Sequence, residues 1–104
     1  MDIEISRGDV VRITLKGRMD AVSSPDFDRA LDELMSQGQR QFLLDLSNLE
    51  YISSAGLQSL LAAAKRLEQI EGIITLSNLN GAVLEVFQIS GFDTLFPILD
   101  SRPE

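Results

Sequence analysis

Residues 41–46, QFLLDL, and the helical pattern after them restrict the fold more than any other feature of the chain. The run is apolar at Phe42, Leu43, Leu44 and Leu46, which predicts a central strand covered on both faces. Apolar residues then recur at helical spacing, at Leu57, Leu60, Leu61, Ala64 and Leu67, until Gly72 ends the run. Ile73, Ile74 and Leu76 make a second apolar segment. Strand, helix and strand in succession form a βαβ unit, which requires a parallel pair with a right-handed crossover.

The flanking sequence extends this pattern in both directions. Ile3 and Ile5, then Val11, Ile13 and Leu15, alternate with polar residues around a turn at Arg7, Gly8 and Asp9, so a hairpin opens the chain. In AVSSPDF, Ser24 before Pro25 predicts a helix cap, with Asp26 and Asp28 in a first turn where the helix dipole favours them. Phe27, Ala30, Leu31, Leu34 and Met35 continue that helix to Gly38, a suitable C-terminal cap. After Asn80 and Gly81, Val83, Val86 and Phe87 predict a shorter helix ending near Gly91. The tail FDTLFPILD leaves room for one more short strand or turn of helix. With 104 residues the chain is read as a single α/β domain, 1–104, with a mixed four- to five-stranded sheet and three to four helices.

Composition narrows the chemistry. The chain has no His and no Cys, so the usual base near neutral pH, the usual zinc ligands and every Ser-His or Cys-His nucleophile pair are missing. Carboxylates alone are left to hold Mg²⁺ or move a proton, and no catalytic or metal site and no cofactor is predicted. A net charge of -7 repels nucleic acid, and the basic residues, from Arg7 to Arg102, are scattered, with Lys65 and Arg66 the longest basic run. No segment approaches the roughly 18 apolar residues of a membrane span, and MDIEISRGDV lacks the basic-then-apolar order of a leader. A cytoplasmic protein with nothing removed and no membrane partner is expected.

Ser53 and Ser54 stand in the turn between the central strand and the second helix. In a parallel sheet such turns form sites, because a helix N-terminus offers unpaired N–H groups and a partial positive charge. One serine is accounted for as a cap. A second is not, and Ala55 and Gly56 after it are small enough to let another molecule approach closely.

These residues carry a family resemblance. DLSNLEYISSAGLQSLLAAAKRL, with ITLKGRMDAVSSPDF before it and LSNLNGAVLEVFQISGFDTLFPI after it, resembles the STAS family of anti-sigma factor antagonists over nearly the whole chain. The resemblance implies a non-catalytic switch. Its unphosphorylated form would bind and sequester an anti-sigma factor that is also a serine kinase of GHKL type. Phosphorylation at the helix start would release that partner, and a metal-dependent serine phosphatase would restore binding. The family's phosphoacceptor falls on Ser54, with Ser53 as the alternative. Asp20, Asp45 and Ser47 match other recurrent positions near the same surface; Ser53, Ala55 and Gly56 are expected to bind the partner with them, although some members carry an acidic residue where Ser53 stands and a second hydroxyl where Ala55 stands.

Each position also has a plainer role. Asp20 and Ser47 suit turns, and Asp45, in an apolar strand, requires hydrogen bonds to offset its burial; the N–H groups of the serine loop are the expected donors. Two other functions compete with the switch. One is a constitutive STAS adaptor, for example a subunit of a transport ATPase, using the same helix face without phosphorylation. The other is a carboxylate-metal phosphohydrolase or a phosphoaspartyl protein, which requires an acidic cluster where only Asp45 stands.

Overall fold

The computed structural model describes residues 1–99. Asp100, which closes the tail segment, and Arg102 lie outside the described residues. The elements are β1 (Asp2–Ser6), β2 (Val11–Met19), α1 (Ser24–Ser36), β3 (Gln41–Ile52), α2 (Ser54–Glu68), β4 (Ile73–Ser77), α3 (Gly81–Ser90) and β5 (Ile98–Leu99). The strands lie in the order of the sequence, with β1 antiparallel to β2 and every other pair parallel. The expected hairpin and mixed sheet are present. The tail supplies both of its options, a 3-10 turn at Phe92–Thr94 followed by β5.

The sheet is covered on one face, not two. Val11, Ile13, Phe42, Leu44, Ile74 and Leu76 share a face by register and are buried. Arg12, Thr14, Leu43, Ile73 and Thr75, which alternate with them, are exposed or half-buried. Three crossovers step across the sheet in the same direction, so connections of one hand place every helix on the same side. Accordingly Phe27, Leu31 and Leu34 of α1, Leu57, Leu60 and Leu67 of α2, and Val83 and Phe87 of α3 join a single core with those strand residues. Leu61, assigned to the core by its spacing, is only partly buried at the edge of it.

β3 is twice the length its apolar run suggests. Beyond the end of β4, β2 and β3 continue as a two-stranded ribbon that pairs Lys16 through Met19 with Asn48 through Ile52, with register irregularities on either side of Lys16 and Gly17. Ser47, Asn48, Glu50 and Tyr51 are exposed there, with Leu49 buried among them. A polar stretch with one apolar residue reads as a turn, although it is held by β2 as a strand.

One helix-end assignment is corrected. Ser24 is the first residue of α1 rather than its cap, and its Oγ donates to the Asp20 carbonyl at 2.6 Å. After α2 the left-handed residue is Glu71, at φ +60. Gly72 is required for space, since a Cβ there would lie 2.5 Å from the Arg40 carbonyl oxygen. At the end of α1, Gly38 does adopt the left-handed conformation, at φ +91, and its N–H donates to the Met35 carbonyl.

Candidate functional site

The two serines divide the two roles between them. Ser53 is extended, its Oγ accepts the Gly56 N–H at 3.3 Å, and its carbonyl accepts the Leu57 N–H at 3.0 Å, which makes it the N-cap of α2. Ser54 is the first helical residue and is exposed to solvent, whereas Ser53 is half-buried. The hydroxyl of Ser54 therefore stands open at a helix N-terminus, where an anion is tolerated.

Gly56 has a packing role. It is buried, and a Cβ would lie 2.7 Å from Ile52 Cγ1 and 2.9 Å from the Met19 carbonyl oxygen. Its missing side chain lets the first turn of α2 sit directly on the ends of β2 and β3. Ala55 is half-buried beside Asp28, Gln58 and Ser59, in a shallow groove between α1 and α2.

Asp20 follows β2 and builds the neighbouring turn. Its Oδ1 accepts the Val22 N–H at 3.1 Å and the Ser23 N–H at 3.0 Å. Ser23, whose importance sequence patterning did not reveal, accepts the Asp20 N–H at 2.9 Å through Oγ, which also donates to the Arg18 carbonyl at 2.8 Å. Hydrogen bonds from the Ser23 backbone and side chain, with a further one from Val22, hold the Asp20 carboxyl below its ordinary range. The Asp20 turn meets α2 directly, because the Ser53 N–H donates to the Met19 carbonyl at 2.9 Å.

Asp45 and Ser47 lie elsewhere. They are in the middle of β3, and the eight residue steps from Asp45 to Ser53 span roughly 25 Å as extended chain. Asp45 bonds no group of the serine loop. Its Oδ1 accepts the Ser47 N–H and Asn78 Nδ2, both at 3.0 Å, and its Oδ2 accepts Arg12 at 3.1 Å. Burial pushes its carboxyl up, but the hydrogen bonds from Asn78, Ser47 and Arg12 outweigh it and hold the group at about 2. Ser47 instead borders an open cleft of about 610 Å³, with Lys16, Asn48, Glu50 and Asn80. Asp45 thus fastens β2, β3 and the end of β4 to one another.

Among the described residues no group of three or more carboxylates is gathered as a metal site would need, and no helix is long and apolar enough to cross a membrane. What the α2 end offers is a protein surface: an exposed hydroxyl and, joined to it through the Ser53–Met19 bond, a locked turn.

The chain is a small α/β domain of one βα unit after another, with its helices on one side of the sheet and an exposed serine at the start of α2. Residues 4–99 match the family model described as "Mlab, STAS domain", and the chain belongs to the STAS family. It is 41% identical over 88 residues to the Bordetella bronchiseptica protein BtrV, named as an anti-sigma factor antagonist, covering 85% of this chain and 76% of that one. Its fold is similar to the crystal structure of an anti-sigma factor antagonist from Thermotoga maritima, with a TM-score of 0.86 at 22% identity, covering 96% of this chain and 86% of that one. It is also similar to the Bacillus cell fate determinant SpoIIAA in its phosphorylated form, with a TM-score of 0.76 at 21% identity, covering 97% and 92%.

Proposed function

We propose that this chain is a phosphorylation-controlled protein switch acting in the cytoplasm. In its unphosphorylated form it binds and sequesters an anti-sigma factor that is also a serine kinase of GHKL type. That partner phosphorylates Ser54 and is released, and a metal-dependent serine phosphatase returns the chain to its binding form. The chain itself performs no catalysis in this reading and acts as one STAS domain over residues 1–104.

The observation that carries this reading is the difference between the two serines: Ser53 is committed to capping α2, while Ser54 is exposed one residue later. It is supported by the likeness to BtrV and by a structural neighbour solved in its phosphorylated form. A phosphate would add about -1.5 to -2 charges at a helix N-terminus that tolerates them, so the fold persists and the partner meets the new charge. Like charges brought together at an interface cost several kcal/mol, and each 1.4 kcal/mol is a factor of ten in affinity.

Incubation with the cognate kinase and ATP, followed by mass spectrometry, tests this. Phosphate on Ser54, absent from Ser54→Ala and accompanied by loss of the complex, is the expected result. Phosphate on Ser53 alone would move the acceptor. A stable complex with neither serine modified would favour a constitutive adaptor, such as a subunit of a transport ATPase.

A further inference from the structure

A kinase transfers phosphate only to a hydroxyl held in line with its ATP, so whatever fixes the backbone at Ser54 bears on the rate. The peptide unit joining Met19 to Asp20 is gripped at both ends. Its carbonyl accepts the Ser53 N–H at 2.9 Å, and its N–H donates to Ser23 Oγ, also at 2.9 Å. In a planar trans peptide these two groups point in opposite directions, so Ser23 and Ser53 stand on either side of it. Ser23 Oγ donates in turn to the Arg18 carbonyl at 2.8 Å, which ties down the preceding peptide as well.

Ser23 does this in place of the role its position suggests. It is the N-cap residue of α1, yet its side chain makes no cap bond to that helix. It is also buried, so its hydroxyl serves the end of β2 and not a visiting molecule. On the far side of the same peptide, a Cβ on Gly56 would lie 2.9 Å from the Met19 carbonyl oxygen, so the first turn of α2 rests on that oxygen. Ser54 lies between the two residues that touch it, Ser53 and Gly56. A tilt of the Met19–Asp20 peptide is therefore passed to the backbone of Ser54.

We infer that Ser23 is a positioning residue for the phosphorylation of Ser54: it holds the Met19–Asp20 peptide, and through it the start of α2, where the Ser54 hydroxyl meets the kinase. The inference rests on the proposed function and adds a residue of the substrate that sets the rate. In the transfer, Ser54 Oγ forms a bond to the γ-phosphorus of ATP, the bond from that phosphorus to ADP breaks, and the hydroxyl proton goes to a base of the kinase. Ser23 touches none of these atoms. Its loss leaves the Arg18 carbonyl and the Asp20 N–H without their partner and lets the peptide between Met19 and Asp20 rock. A displacement of about 1 Å at a reacting group costs as much as about 10²-fold in rate. Ser23 is buried, so the surface that the kinase grips is unchanged and the loss falls on kcat, not on KM.

Two measurements on the full chain test this, using Ser23→Ala and Ser23→Thr, the second of which keeps the hydroxyl. In the free protein, amide hydrogen exchange followed by NMR should show the Ser53 N–H exchanging about tenfold faster in Ser23→Ala, with the Leu60 N–H in the middle of α2 unchanged. With the cognate kinase and ATP, Ser23→Ala should lose about tenfold or more in kcat at Ser54 while KM stays within about twofold of wild type, and Ser23→Thr should restore the rate. Exchange that accelerates equally at Ser53 and Leu60 would mean a general loosening of the fold and overturns the inference. So does a kcat for Ser23→Ala within about twofold of wild type, a loss confined to KM, or a loss that Ser23→Thr does not restore. Each of these leaves the proposed function standing. Wild type that takes no phosphate at Ser54 overturns the proposed function, and this inference with it.

Discussion

The N–H of Ser53 donates to the carbonyl of Met19 at 2.9 Å, and this bond joins the turn after β2 to the cap of α2. Residues 20–24, far from Ser54 in sequence, become its neighbours through it. The bond is available because β2 and β3 run on together past the end of β4.

Ser53 and Ser54 should respond differently to truncation. Ser53→Ala removes the cap and is expected to cost about 1 kcal/mol, while Ser54→Ala, which loses no cap bond, stays within about 0.5 kcal/mol of wild type. Urea midpoints compare the two directly, and an equal loss at both positions would contradict the division of roles between them.

Ser54→Asp is expected to keep the melting midpoint within a few degrees of wild type, since a carboxylate at a helix start gains about 0.3 to 1 kcal/mol from the dipole. Its complex with the kinase should be markedly weaker, though less so than that of the phosphorylated chain, which carries more charge. Tight binding by a folded Ser54→Asp would remove the main support for exclusion by charge.

Gly56→Ala should destabilise the fold by about 1 to 2 kcal/mol. Overpacking against Ile52 and the Met19 carbonyl costs about 1 to 3 kcal/mol, and the better helix propensity of alanine returns up to about 1 kcal/mol. A denaturant midpoint that rises on substitution would mean that the first turn of α2 has room to move away from the sheet.

Asp45 predicts a pH dependence. Its folded carboxyl lies at about 2, below the unfolded value near 3.9, so the folded state binds fewer protons. Its contribution, about 2 kcal/mol, is present in full above roughly pH 5 and is lost as pH falls through 4 towards 2. Asp45→Asn should therefore be less stable than wild type at pH 7, with the difference shrinking towards pH 2. Parallel chemical denaturation series at several pH values provide the check, and a gap that stays constant down to pH 2 would assign the loss to packing.

Leu60→Ala should cost about 2 to 5 kcal/mol, because Leu60 is fully buried between α2 and the sheet. The urea midpoint measures it, and an unchanged value would place this face of α2 away from the core.

The order of elements, the parallel pairing and the serine pair at the start of α2 are legible in the residues alone, because periodicity and helix-end chemistry are local and act over a few positions. Long-range packing set the rest. Whether Leu43 meets a second layer depends on the side to which three separate crossovers turn, and none of them is encoded near Leu43. That Asp45 and Ser47 lie far from Ser54 is due to the continuation of β3 along β2, an extension fixed by pairing with residues 16–19 and not by the polar sequence that adopts it. Gly56 and Gly72 look like turn or contact residues in sequence, yet each is set by atoms that approach from another element, Met19 in one case and Arg40 in the other. Ser53 and Ser54 are chemically the same residue, and only the direction in which the chain enters α2 makes the first a cap and leaves the second exposed.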